Sequence, residues 1–144
     1  MHPTATDELL KVLNAADTLT DLESYTEATA KQTPAKSFHQ HIEELLQAKE
    51  MQASQLIQDA QLQRTYGYQI LNGTKNPGRD KVLAICLALT LSLEESQRAL
   101  TLAKEGVLYP KNRRDAVIIF AINKGFSVQE TNELLYNVGE EILN

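Results

Sequence analysis

The residues best suited to chemistry lie between positions 52 and 92. Gln63, Arg64 and Thr65 open a short stretch of helical pattern, and Gln69 follows about one and a half turns later near the same face. The stretch runs out into a basic island of Lys75, Arg79 and Lys81, with Asn76 beside it. Ahead of it, Leu56 and Ile57 mark another short helix and Leu62 an apolar turn. Two short helices joined by a tight turn let the second project into a DNA major groove about 12 Å wide. The basic island is then placed to meet phosphates, which fix register without carrying sequence information.

Catalysis has no comparable constellation. The phosphate-cradling G-x-x-x-x-G-K-[ST], the dinucleotide-binding G-x-G-x-x-G, the G-x-S-x-G elbow and the zinc-binding H-E-x-x-H are all absent. The acidic pairs Glu43-Glu44, Glu94-Glu95 and Glu140-Glu141 are sequence neighbours, which cannot flank one substrate. His39 and His41 are two apart and point to different faces of a helix. Cys86 is the sole cysteine, so it forms no internal disulfide and lacks a second thiol for zinc; in an apolar helix it reads as a small core residue. The expectation is a binding protein that is not an enzyme and needs no cofactor or metal.

Charge sharpens this reading. The chain of 144 residues has 14 Lys plus Arg against 19 Asp plus Glu, a net charge of -5, which argues against a generally basic nucleic-acid coat. The charge is unevenly spread. Residues 1–35 carry two cations against six anions, whereas residues 60–81 carry four cations against Asp80 alone. The longest nearly apolar run, residues 82–91, falls short of the roughly 20 residues a membrane helix needs. The N-terminal residues lack the basic start and apolar core of a secretory leader, so a cytoplasmic location is expected.

The elements that must position these residues all read as helices. Short helices are expected at residues 8–14 and 19–30. Pro34 then breaks the chain, and Ser37 is suited to cap a helix carrying Phe38, Ile42, Leu45, Leu46 and Met51 at helical spacing. Further helices are expected near residues 52–60, 63–72 and 80–90, with Gly73 as a left-handed stop. No stretch alternates with the period of a strand. From Arg79 the chain repeats itself: residues 79–100 align with 114–135, an offset of 35, with Arg-Asp opening both copies. Each copy reads as an apolar helix, a turn, and a Ser-x-x-Glu box opening a second helix. Such a hairpin must stack on a neighbour to bury its apolar face. The two Arg-Asp steps are expected to be ion pairs at the helix starts.

Residues 42–96 resemble the Xre/Cro-type helix-turn-helix domain of phage and bacterial repressors, over roughly 55 of the 144 residues. Leu56-Ile57 stand at the family's Leu-Ala step, Leu62 at its apolar turn, and residues 72–77 (Asn-Gly-Thr-Lys-Asn-Pro) match the close of its recognition helix. Ala88, Leu91 and Ser92 match the end of the helix after it. The resemblance implies an all-α, lambda repressor-like helix-turn-helix bundle with N-terminal helices and an added C-terminal helical hairpin. The expected divisions are an acidic extension at 1–36, the DNA-binding domain at 37–108 and the hairpin at 109–144, packed on the same core or dimerising.

Carried over by position, the family's base contacts fall on Arg64, Thr65, Gln69 and Tyr68. Arg64 would suit guanine O6/N7 and Gln69 adenine N6/N7. Its phosphate contacts fall on Gln52, Ala53 and Gln55, then on Lys75, Asn76 and Arg79. The implied function is a transcriptional regulator bound to double-stranded DNA, dimeric on half-sites about 34 Å apart. Two positions depart from the family. Gly67 stands where an apolar core residue is usual, with Tyr66 or Tyr68 expected to refill the space, and Leu71 stands where many members are acidic. The alternative is a helical adaptor or antitoxin-like module that no longer reads DNA. It would engage a protein partner through Tyr66, Tyr68 and the C-terminal Phe126, Leu134, Leu135 and Tyr136.

Overall fold

Ser37 begins the first helix by satisfying backbone groups that no helical turn can reach. Its hydroxyl accepts from the Gln40 N–H at 3.3 Å, and the Gln40 side chain accepts from the Ser37 N–H at 3.1 Å. This reciprocal box starts α1 (Phe38–Ala48), whose Phe38, Ile42 and Leu46 turn inward. The computed structural model describes residues 36–144; the helices expected at 8–14 and 19–30 lie outside the described residues. Next come α2 (Ala53–Asp59), α3 (Arg64–Leu71), α4 (Arg79–Ala88), α5 (Leu93–Leu102), α6 (Arg113–Lys124) and α7 (Val128–Asn137). Among the described residues the protein is all helical, and no helix is long and apolar enough to cross a membrane.

Helix α4 is the axis of the core. Every side chain from Val82 through Leu87 is buried, which only a helix covered on all sides can sustain. Burial pushes the Cys86 thiol up to about 12, so it stays protonated and packs as a hydrophobe. Around α4 pack α2 and α5, while α1 lies on α3 and α5. Residues 36–144 form one unit without a break between 108 and 109. The reason is that Leu108, Ile118, Leu135 and Leu143 all enter the same cluster as Ile42 and Leu83.

The repeat holds down to individual hydrogen bonds. Ser92 with Glu95 and Ser127 with Glu130 form matching capping boxes. The buried hydroxyls of Ser96 and Thr131 each donate at 2.8 Å to the carbonyl four residues back. Gln97 brackets Leu108 through both its backbone groups, and Asn132 accepts from the Leu143 N–H, 35 positions on. Each copy thus carries a helical hairpin and an extended tail folded back along it.

The Arg-Asp steps do not pair as expected. Residues adjacent on a helix point about 100° apart, so neither arginine can reach its own neighbour. Instead the pairs cross. Arg79 forks onto Asp115 at 2.9 and 2.8 Å, and Arg114 forks onto Asp80 at 3.1 and 2.9 Å. Each arginine also donates to two tail carbonyls of its own copy: Arg79 to Gly106 and Val107, Arg114 to Glu141 and Ile142. Each aspartate accepts one more bond, from the N–H of Tyr109 or of Asn144. When residue i of one copy meets residue j of the other and the reverse also holds, the copies stand in a two-fold-like relation. This relation closes the hairpin pair on itself and leaves no array to extend.

Burial pushes both aspartyl carboxyls up. The arginine forks, the backbone N–H donors and the second arginine outweigh it and hold each below its ordinary 3.8. A carboxylate with a depressed folded pKa contributes stability that is complete above its unfolded pKa and is lost as pH falls through the folded one. Acid unfolding followed by circular dichroism should therefore begin below about pH 4. Replacing Asp80 and Asp115 together by Asn should flatten that limb.

Candidate nucleic-acid interface

The presentation of α3 starts with the turn before it. Ala60 ends α2, and Gln61 takes a left-handed φ of 57°. That reverses the chain so that Leu62 enters the core, its N–H donating to the Ile57 carbonyl at 3.0 Å. Gln63 then caps α3, its side-chain oxygen accepting from the Tyr66 N–H at 2.7 Å. The side chain of Gln63 is therefore committed to the backbone. Gln61 is exposed at the head of α3, a position the sequence reading passed over; its left-handed conformation is legible only once the turn is built.

Gly67 corrects an expectation. It leaves no gap for a tyrosine to refill, because it is the point where α3 crosses α2. A β-carbon there would lie 2.8 Å from both γ-carbons of Ile57 and 3.0 Å from its δ-carbon. Close approach of the two helices requires glycine at this site. With Gly67 and Ile70 inward and Tyr66 and Leu71 half-buried against the core, the opposite face carries Arg64, Thr65 and Tyr68, all exposed. Gln69 is half-buried at the edge of that face.

The loop after α3 is tied down at both ends. Gly73, at φ 86°, lies against the ring of His39, and an added β-carbon would meet that ring at 2.6 Å. His39 in turn hydrogen-bonds with the Ser37 hydroxyl at 3.1 Å. The Lys75 N–H donates to the Gln69 carbonyl and the Thr74 N–H to the Asn72 side chain. Pro77 is buried, so Lys75 and Asn76 are displayed on an anchored loop, both exposed. At the start of α2, Gln52 is exposed and makes no cap bond, Ala53 is half-buried, and the Gln55 amide donates to Asp59 at 2.8 Å.

Arg79 belongs elsewhere. Two bonds to Asp115 and two to the carbonyls of Gly106 and Val107 take four of its five N–H donors and hold the guanidinium against the second copy. The basic island nevertheless keeps its local excess, because Asp80 is removed from it by Arg114. Arg64, Lys75 and Lys81 form no ion pair among the described residues. The surface therefore combines one exposed guanidinium and two hydroxyls on one helix face with the Lys75 ammonium on the loop that follows, while Lys81 is half-buried at the start of α4 beside Gln61 and Asn144. Such a set can donate to base edges and neutralise phosphates.

Comparison of the chain with protein-family models, with curated proteins and with solved structures finds no match.

Proposed function

We propose that this chain is a sequence-specific DNA-binding transcriptional regulator with a lambda repressor-like helix-turn-helix, in which α2 and α3 form the motif and α3 enters the major groove. The observation that carries the reading is the outward face of α3. Arg64, Thr65 and Tyr68 stand there together, all exposed and in no side-chain hydrogen bond or ion pair among the described residues, beside a loop that holds Lys75 and Asn76 in place. Gln69 borders that face, and Gln52 and Gln55 complete the phosphate-facing set. The reading makes the protein a cytoplasmic, non-enzymatic binder of double-stranded DNA, acting as a homodimer.

In-vitro selection from random duplexes with the purified full chain tests it. An enriched motif at low salt is expected, and a folded protein that enriches none overturns the proposal. Arg64→Ala should then lose about 1–3 kcal/mol and relax preference at one base position. Lys75→Ala should weaken all sequences alike and reduce the slope of log affinity against log salt by about one.

The adaptor reading has one observation in its favour: Phe120 and Tyr136 are exposed on α6 and α7, at 48% and 77%. Co-purification of a single stoichiometric partner, lost on Tyr68→Ala, would favour it over DNA reading.

A further inference from the structure

The loop after α3 holds covalent chemistry that DNA reading does not use. Asn72 is the one asparagine in the chain followed by glycine. In such a pair the backbone nitrogen of the glycine can attack the side-chain carboxamide, because no β-carbon stands in its way. Asn76, in the same loop, is followed by Pro77, whose nitrogen carries no proton and cannot take this route. Asn112, Asn123, Asn132 and Asn137 all precede residues with long or branched side chains.

The geometry around Asn72 both opens and restrains the reaction. Asn72 and Gly73 are exposed, so water reaches the carboxamide. The Asn72 Oδ1 accepts from the Thr74 N–H at 2.9 Å, which draws electrons from the carbon under attack. Against this, the Gly73 N–H donates to the Ile70 carbonyl at 3.2 Å, and Asn72 has a helical ψ of 0°, turned away from ring closure. Gly73 itself, at φ 86°, is pressed on the His39 ring. The attack therefore waits on a local opening that frees Gly73.

We propose that Asn72 is a site of spontaneous deamidation, paced by the hold of the loop on Gly73, and that its product cancels the phosphate contact of this loop. The step needs no partner but water. The Gly73 nitrogen loses its proton and bonds to the Asn72 Cγ, the Cγ–Nδ2 bond breaks, and ammonia leaves with that proton, giving a cyclic imide. Water then opens either imide carbonyl, to aspartate or to isoaspartate. Aspartate keeps an acceptor for the Thr74 N–H and sets a carboxylate three residues from Lys75. Isoaspartate also lengthens the main chain by one atom and moves Gly73 off His39. Residues 60–81 then hold two anions rather than one against their four cations. The consequence for binding rests on the proposed DNA reading; the chemistry does not.

Peptide mapping by mass spectrometry of the full chain, incubated folded in mildly alkaline buffer, tests the chemistry. Conversion is expected at Asn72, as aspartate and isoaspartate, with Asn76, Asn112 and Asn123 unchanged. It should run faster in His39→Ala, because the ring no longer seats Gly73. A folded chain that stays intact at Asn72 over the time in which the urea-unfolded chain converts overturns the site. Equal rates in wild type and His39→Ala overturn its pacing by the loop. Asn72→Asp should bind the duplex selected by wild type about tenfold more weakly at low salt, the loss of one phosphate contact. Equal affinity overturns the effect on binding. If wild type selects no duplex, DNA reading fails, while the mapped conversion still decides the site.

Discussion

Arg79→Ala should lower the unfolding free energy by about 2–3 kcal/mol and leave the salt slope of the proposed DNA binding unchanged, measured under conditions where the variant is folded. The substitution strips a carboxylate of its cation at Asp115, a residue 5% exposed, and removes a donor from the Gly106 and Val107 carbonyls. The estimate sits below the cost of breaking a fully buried pair because the Arg79 side chain is 27% exposed. Arg114→Ala should cost a similar amount, since it holds Asp80 and the second tail in the same way. The double variant Arg79→Ala/Asp115→Ala should be less destabilised than the sum of its parts, whereas Arg79→Ala and Lys75→Ala should add. Denaturant unfolding and a salt titration on the same variants separate the two roles. If Arg79→Ala flattened the salt slope as Lys75→Ala does, with stability intact, the crossed pair would not be its place of work.

Gly67→Ala should destabilise the protein by about 1–2 kcal/mol, although alanine is the better helix former by about 1 kcal/mol. The added carbon would stand 2.8 Å from Ile57, itself 4% exposed and branched at the carbon that would have to turn. Either Ile57 leaves its rotamer or α2 and α3 spread, and overpacking of this kind costs about 1–3 kcal/mol. The background of Ile57→Ala makes the test decisive. That change alone should cost about 2–5 kcal/mol through the cavity it leaves. Within it, Gly67→Ala should become neutral or stabilising, because the obstructing carbons are gone and the helix preference remains. A Gly67→Ala effect of the same sign and size in both backgrounds would mean that helix crossing is not what the glycine serves.

Local pattern along the chain reaches some of these interactions and not others. The caps at Ser37, Ser92 and Ser127 were legible because a cap joins residues three apart, and so were the helices they start. The opening Arg-Asp of each copy and the 35-residue offset were legible too. The partners were not. Arg79 lies 36 positions from Asp115 and Arg114 lies 34 from Asp80, and no local rule distinguishes a crossed pair from a solvated charge. Gly67 was visible as a departure, but its meaning depended on where Ile57 arrives from the preceding helix. Reading it as a gap assumed a neighbour at ordinary distance.

What the sequence determined by itself was therefore the helices among the described residues, the serine caps of three of them, the duplication and the concentration of positive charge between residues 60 and 81. These follow from spacing within a few turns of chain or from direct comparison of one stretch with another. The tertiary structure decided which of those charges remain available and which face of each copy is covered. Arg79 and Arg114 have equivalent places in the repeat and equivalent bonds, yet Ile85 is buried and Phe120 is 48% exposed. The difference arises because α1 and α2 can lie on only one of two similar surfaces. Burial belongs to what arrives from elsewhere in the chain, and a residue's own pattern cannot supply it.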